Sequence, residues 1–412
     1  MKNNPNPIID VLKIPKFRRL IAARFLALLG NGIAPVALAF GILATGGSGA
    51  SIGIVVAARG FALLPGLLFG GALADRFSRT SIMAWSDSVA GLSALATAYL
   101  FVSGSAETWN LAAIQLLNGA AASFFIPASQ SVMPMIVPAE KRQAANSLMS
   151  LSMQLGVIIG ATGAGLIVAN LGAGWAMSVN ALTFLLSALL ISRMLLPAIA
   201  STGESMFQSI RTGWREFYSR RWVFIVVLQF MVIMAAVYAT LNVLGPLAAD
   251  LHLDGATSWG FILSANSLGY VLGGFIALRI RTKYPLRTAV FMTLLFAAPS
   301  IFLAIATGNT WIIALGAVIN GVGATVFNVL WDTTVQERVP PQYLSRVASY
   351  DALGSLAAVP IGTAAAGFLS EAISLDVALW ICSAVIIVSG VITLCFREVR
   401  TLTSEEENLS KT

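Results

Sequence analysis

The amino-acid sequence predicts an all-α membrane protein with twelve transmembrane helices in two halves of six. Three observations predict this fold class: long apolar stretches, an alternating placement of basic residues between them, and a small charged fraction. Of the 412 residues, 57% are hydrophobic and 10% are charged, and the mean hydropathy is +0.83. Since soluble domains carry about 25% charged residues, this chain could not form an ordinary soluble surface.

Each predicted span is an apolar stretch of about 20 residues, the length that a helix needs to cross the hydrocarbon core. In chain order the spans lie at roughly 20–43, 52–74, 81–103, 109–132, 147–169, 174–196, 222–245, 257–279, 286–306, 310–332, 346–369 and 374–396. Several contain proline, which removes a backbone hydrogen bond and permits a kink.

The basic residues predict the orientation. Lysine and arginine fall before the first span and after every second span. The opposite loops hold no Lys or Arg, and their charged or titratable residues are Glu107, Asp250, His252, Asp254, Glu371 and Asp376. An excess of Lys and Arg marks the cytoplasmic side, so both termini are predicted to lie inside the plasma or inner membrane.

The formal net charge of +7 is then explained by topology and by contact with anionic membrane lipids. Nucleic-acid binding would require a folded basic domain. No soluble segment of this sequence is long enough to form one.

The longest polar interruption, residues 197–221, divides the predicted spans six and six. Part of it places Phe207, Ile210, Trp214 and Phe217 at helical spacing among basic residues, which predicts an amphipathic helix on the inner leaflet. The predicted organisation is a cytoplasmic N-terminus at 1–19, an N-terminal half at 20–196, a linker at 197–221, a C-terminal half at 222–396 and a cytoplasmic tail at 397–412.

Catalytic and metal-binding residue sets are missing from the sequence. The one histidine, His252, lies in a predicted outer loop, and Cys382 and Cys395 are too far apart on one helix to pair. These residues cannot assemble a metal cluster, and no phosphate-binding loop for ATP occurs. We therefore expect no enzyme activity and no cofactor other than an ion gradient, which leaves transport, receptor or scaffold roles.

A loop motif resembles a known family. Residues 70–79 read GGALADRFSR, which is similar to the signature G-x-L-A-D-R-x-G-R-[KR] between helices two and three of the major facilitator superfamily. Ser78 replaces the second glycine and Thr80 replaces the final base. The matching residues are Gly71, Leu73, Ala74, Asp75, Arg76 and Arg79.

Further stretches resemble the branch of macrolide efflux and enterobactin exporter proteins, and the resemblance covers essentially the whole chain. They lie at 30–38, 125–128, 137–138 with 146–147, and 336–340 with 346–347. The resemblance implies the major facilitator fold, with two six-helix halves around a central cavity. Three positions depart from the pattern: Asn31 replaces a common acid, Gln115 replaces an arginine of the fourth helix, and Ala161 replaces a proline of the fifth.

The resemblance also implies a conformational latch. The Asp75 carboxylate would face the positive N-terminus of helix eleven, near Ser345 and Arg346, and hold the cytoplasmic ends together. Gly71, Arg76 and Arg79 belong to the same predicted latch. Alternatively, the two arginines only enforce the topology.

Ionisable residues inside spans are the predicted coupling groups, because each costs about 2.5–3.5 kcal/mol at a helix centre. Arg24 either reaches the inner headgroups or forms an ion pair, whereas Arg59 lies too deep for easy access to the surface. A proton-coupled exporter needs a titrating carboxylate, for which Asp87, Asp332 and Asp351 are the candidates. Asp87 could equally be the structural partner of an arginine.

In the resembling proteins, helices one, four, seven and ten line the cavity. The polar candidates on these helices are Asn31, Gln115, Asn118, Gln229, Tyr238, Asn320 and Asn328. Such groups among aromatic side chains suit a mostly apolar ligand held by a few hydrogen bonds. The alternative is interhelical hydrogen bonding, worth about 0.6 kcal/mol each.

These residues predict a monomeric secondary transporter that exports a small, largely apolar drug, antibiotic or siderophore-like compound by alternating access and proton antiport. An uptake permease or facilitator for a small metabolite remains an alternative within the same fold. A transport-inactive membrane sensor or scaffold is the alternative from another class.

Overall fold

The computed structural model describes residues 7–74, 78–194, 196, 214–306 and 308–403. Within these ranges the chain is helical and contains no strand. Eleven described segments are long and apolar enough to cross a membrane. The third predicted span is also one continuous helix, of 25 residues, but its serines, threonines and Asp87 keep it out of this group.

The helices divide into two compact units. The first contains Met1–Gly47 and Ala58–Thr202, and the second contains Ser48–Ala57 and Gly203–Thr412. The boundary inside the second span is therefore a property of the structure that the sequence did not indicate. Most of the predicted linker, residues 197–213, lies outside the described residues, and its remainder includes a short helical segment at 214–219.

The spans of the first unit are uninterrupted helices. Pro35 and Pro65 both lie within continuous helices. The helices up to the linker are α1 (Pro7–Leu12), α2 (Pro15–Ala44), α3 (Gly49–Ala74), α4 (Arg79–Ser103), α5 (Thr108–Ile136), α6 (Arg142–Leu171) and α7 (Ala173–Ser192).

Three spans of the second unit are interrupted, each next to a proline. A π-helical turn, Thr240–Leu244, precedes Pro246, a 3-10 turn, Thr293–Ala297, precedes Pro299, and the eleventh span breaks before Pro360. A proline cannot donate to the carbonyl four residues earlier, and its ring clashes there, so the helix changes its pitch.

The helices of the second unit are α8 (Arg221–Ala239), α9 (Gly245–His252), α10 (Gly255–Ala277), α11 (Pro285–Met292), α12 (Ala298–Ile305), α13 (Thr310–Arg338), α14 (Pro341–Leu356), α15 (Val359–Ala372), α16 (Leu375–Cys395) and α17 (Arg397–Arg400).

Side-chain caps fix several helix starts. The Ser78 hydroxyl accepts a hydrogen bond from the backbone N–H of Ser81 at the start of α4, and Asn309 caps α13 in the same way. At α5, Glu107 and Asn110 form a reciprocal capping box. Such caps supply partners for N–H groups that a helix leaves unpaired at its first turn.

Glycines allow pairs of helices to approach backbone to backbone. A Cβ atom on Gly160 of α6 would lie 2.1 Å from the Leu29 carbonyl oxygen of α2, and one on Gly321 of α13 would lie 2.2 Å from the Asn266 carbonyl oxygen of α10. Small residues at such crossings are the usual device of membrane helices, because close packing replaces the hydrophobic driving force.

Candidate functional site

The first unit buries a carboxylate in the interior of a span. Asp87 of α4 is 3% exposed, and one of its oxygens accepts a hydrogen bond of 2.6 Å from the Ser187 hydroxyl of α7. α4 and α7 are close neighbours in this unit. The structure therefore gives Asp87 a specific partner on another helix, 100 residues away in the sequence.

Arg24 of α2 attracts the Asp87 carboxylate electrostatically. Its guanidinium carbon is 4.8 Å from the centre of the Phe125 ring of α5, a cation–π contact. Among the described residues, Arg24 and Asp87 do not form a direct ion pair. Arg24 thus interacts both with the face of the Phe125 ring and, at longer range, with the Asp87 carboxylate.

The other candidates in the first unit are dispersed over several helices. Gln115 of α5 is buried, whereas Asn31 of α2 and Asn118 of α5 are half-buried. Arg59 of α3 has an exposed side chain. Its backbone carbonyl oxygen would lie 2.1 Å from a Cβ atom on Gly119 of α5. Their roles in the cavity and in coupling stay predictions.

The predicted latch is only partly described. Gly71 lies in the last turns of α3 and Arg79 is the first residue of α4. Asp75 and Arg76 lie outside the described residues, as do the side chains of Ser345 and Arg346. The latch therefore stays a prediction.

The second unit contains two further candidate carboxylates. The Asp351 carboxylate of α14 accepts hydrogen bonds from the Trp331 indole N–H at 2.8 Å and from the Ser355 hydroxyl at 3.2 Å. Asp332 of α13 is exposed and repels Asp351 electrostatically. Both oxygens of the half-buried Asp351 thus have a neutral donor.

The amides of the second unit pair with groups on neighbouring helices. Asn320 of α13, 1% exposed, accepts a 2.8 Å hydrogen bond from Asn266 of α10. Gln229 of α8 donates to the Thr293 hydroxyl at 2.9 Å, while its amide oxygen accepts no hydrogen bond from any described residue. These contacts favour an interhelical role for both amides.

The remaining two cavity candidates are more accessible. Tyr238 of α8 is 40% exposed, and Asn328 of α13 is exposed. Near them, the rings of Phe230 and Phe327 stack at a centroid distance of 4.5 Å, and Phe327 stacks on Trp331 at 6.1 Å. The aromatic row is mostly buried within the unit.

Sequence reasoning missed the partners of these groups. Ser187 and Asn266 are each one of several polar residues in their helices, and no local pattern connects them to Asp87 or Asn320. The Trp331 indole N–H binds the Asp351 carboxylate, a contact that the sequence did not indicate. Only the fold brings such pairs together, so spacing along the chain carries no signal for them.

Comparison with known proteins places these features in context. A family model described as "Transmembrane secretion effector" matches residues 9–411. The chain is 27% identical over 364 residues to the enterobactin exporter EntS of Escherichia coli O1:K1, covering 86% of this chain and 85% of that protein. The EntS protein of Shigella boydii serotype 18 gives the same identity and coverage.

Solved structures share the fold at low identity. The nucleoside transporter NupG has a TM-score of 0.74 and 15% identity, with 92% of this chain and 98% of that chain covered. A bacterial homologue of the lysosomal transporter Spinster, in an inward-facing and unoccupied conformation, has a TM-score of 0.74 and 14% identity, with 98% and 100% covered.

Proposed function

Because this chain belongs to the transmembrane secretion effector family of the major facilitator superfamily, we propose that this multi-pass membrane transporter exports a small, siderophore-like compound. The relatives named as enterobactin exporters support the direction of transport and the class of compound. The candidates that stay accessible, Asn31, Asn118, Asn328 and Tyr238, fit a bulky ligand held by few hydrogen bonds.

Alternating access is the mechanism of this proposal. In it, the substrate binds near the midplane of the membrane and the two halves expose it first to one side and then to the other. The predicted excess of Lys and Arg on one side supports cytoplasmic termini. We expect the transporter to work as a monomer.

Proton antiport through Asp87 supplies the energy in this proposal, and one observation supports it most. Asp87 is 3% exposed inside a span, accepts a hydrogen bond from one hydroxyl, and is attracted by Arg24 without a direct ion pair. When such a carboxylate gains or loses a proton, its interactions with these neighbours change, which can couple proton movement to a change of conformation. A carboxylate inside the membrane is costly and is by default a functional candidate.

Efflux from cells that express the transporter tests the substrate and the direction. Cells would be loaded with radiolabelled enterobactin, a second catecholate siderophore or a macrolide, and the label remaining inside would be followed with and without a protonophore. Faster, protonophore-sensitive loss of a siderophore is the expected result. Faster entry of the labelled compounds would contradict export. Loss of label at the same rate with and without the protonophore would contradict proton antiport.

A further inference from the structure

A carboxylate of the second unit binds the first turn of the second span. The Glu371 side chain, at the end of α15, accepts a 2.8 Å hydrogen bond from the backbone N–H of Ala50 in α3. It also accepts a hydrogen bond from the Ser48 hydroxyl, and the Ser48 oxygen in turn accepts from the N–H of Ser51. Glu371 and Ser48 together supply partners for N–H groups that the start of α3 would otherwise leave to water.

The backbones of α3 and α15 also come close together near Glu371. A Cβ atom on Gly367 would lie 2.4 Å from the Gly49 carbonyl oxygen, and one on Gly53 would lie 2.7 Å from the Thr363 carbonyl oxygen. Gly49 and Gly53, four residues apart on α3, thus lie against Gly367 and Thr363, four residues apart on α15, and the Ser370 side chain also lies beside Gly49. Such a surface lets two helices meet closely and separate without repacking large side chains.

This contact explains the boundary between the two compact units. Ser48–Ala57 groups with the second unit, although α3 continues without a break into Ala58 and the first unit. One helix therefore belongs to both units, and its first turn is the part held by Glu371.

We propose that Glu371 is a latch, in which its carboxylate holds the first turn of α3 on α15 and releases it once in each transport cycle. This inference rests on the proposed alternating-access function. Negative charge is favourable at a helix N-terminus, where the unpaired N–H groups carry partial positive charge. The latch residue lies on the predicted outer loop, opposite the predicted Asp75 latch.

The physical role differs from that of an ordinary cap. The Glu107 side chain also accepts a hydrogen bond from a backbone N–H at a helix start, but Glu107 directly precedes its own helix, α5. Losing Glu107 frays one helix end. Losing Glu371 removes a bond between two helices that are far apart in the sequence, so its effect should appear as opening of the α3–α15 contact.

Alkylation of a buried cysteine measures this opening directly. Cys382→Ala and Cys395→Ser would remove the two native thiols, and Ala50→Cys would place one thiol in the buried contact. The rate of modification by N-ethylmaleimide in membranes without substrate then reports the open fraction. We expect Glu371→Ala to raise this rate about fivefold, the upper range for a charge at an exposed helix N-terminus.

Two further variants provide a control and separate the effect of the negative charge from that of the hydrogen-bond acceptor. Glu107→Ala, which removes the other outer capping carboxylate, should leave the rate unchanged. Glu371→Gln keeps an acceptor oxygen and loses the charge, so its rate should fall between those of the parent and Glu371→Ala. If Glu371→Ala is not recovered in the membrane, Glu371→Gln decides the question in the same assay.

Equal alkylation rates in the parent and the Glu371 variants would overturn the latch. Because the assay contains no substrate, this result is independent of what the protein transports. If the Glu371 variants are alkylated faster but the parent transporter exports no siderophore, the latch stands and the proposed function is contradicted instead.

Discussion

Both compact units bury amides and hydroxyls, but among the described residues only the first unit also buries a carboxylate. In the first, Asp87 and Arg24 are ionisable residues on two different spans, and the carboxylate has one hydroxyl donor. In the second, the buried polar groups include the amides Asn320 and Gln229, which bond to other neutral groups. Asp351 is only half-buried and accepts two neutral hydrogen bonds.

This difference indicates that the two units have different roles in the transport cycle. A neutral amide pair has no proton to exchange, whereas a carboxylate near an arginine changes its interactions when it gains or loses a proton. The second unit has instead the interrupted spans next to Pro246, Pro299 and Pro360. We infer that proton exchange belongs to the first unit and that helix bending belongs mainly to the second.

The largest expected effect comes from the carboxylate of the first unit. Asp87→Asn should lower proton-driven export by about 100-fold, at the lower end of the loss usual for a positioned proton carrier. Asp351→Asn should keep most of the export because its partners are neutral donors. Asp250→Asn, at an exposed residue of α9, is the control. Equal losses in Asp87→Asn and Asp351→Asn would break the comparison between the units.

Helix packing should be alike in the two units, and glycine variants test this. Gly160→Ala of α6 should lower the free energy of unfolding by about 2 kcal/mol, because its Cβ atom would meet a backbone carbonyl oxygen. Gly163→Ala on the same helix has nothing within 4 Å of the new atom and should be neutral or stabilising. Thermal unfolding in detergent measures both.

The corresponding pair in the second unit is Gly269→Ala and Gly274→Ala of α10. The first would place a Cβ atom 2.3 Å from the Val318 carbonyl oxygen, and the second would meet nothing within 4 Å. A destabilised Gly269→Ala beside an unchanged Gly274→Ala would show that the units differ in their polar groups and not in their packing. Unchanged unfolding of Gly160→Ala and Gly269→Ala would contradict the close helix crossings.

A smaller effect is expected at the partner of Asp87. Ser187→Ala removes one hydrogen bond to a charged group and should lower export about tenfold. Ser178→Ala is the matched control, since this hydroxyl of α7 donates only to the Gly174 carbonyl oxygen of its own helix. Export assays at equal amounts of protein in the membrane separate the two, and equal activities would remove Ser187 from the coupling site.

The smallest effect concerns the amide pair of the second unit. Asn320→Ala should lower the free energy of unfolding by about 1 kcal/mol, in the range measured for interhelical hydrogen bonds. Asn328→Ala, on the exposed face of the same helix, should leave the unfolding temperature unchanged. A loss of export in Asn320→Ala without a loss of stability would instead return this amide to the substrate cavity.

The sequence predicted the membrane fold because span length and the apolar character of the residues are local properties. It also predicted ionisable groups inside spans, since Arg24 and Asp87 stand out among apolar neighbours. It could not predict which proline interrupts a helix: Pro35 lies inside α2 without a break, whereas Pro246 follows a π-helical turn. The outcome depends on how neighbouring helices satisfy the freed carbonyl groups.

Contacts between distant residues were beyond sequence reasoning. Glu371 looked like one of several acids in an outer loop, and Ser187 looked like an ordinary small residue in a span. Their hydrogen bonds to Ala50 and Asp87 join residues 321 and 100 positions apart. No periodicity or motif indicates such a pair, because each residue is of a type that is ordinary for its own segment of the chain.

Proton movement coupled to substrate is the most direct measurement. Purified transporter would be reconstituted into vesicles that contain a pH-sensitive dye, and enterobactin would be added on one side without an imposed gradient. We expect substrate entry to drive protons out of vesicles with the parent, and no dye response with Asp87→Asn, although radiolabelled substrate still equilibrates. An equal dye response from the parent and Asp87→Asn would contradict proton exchange through the first unit.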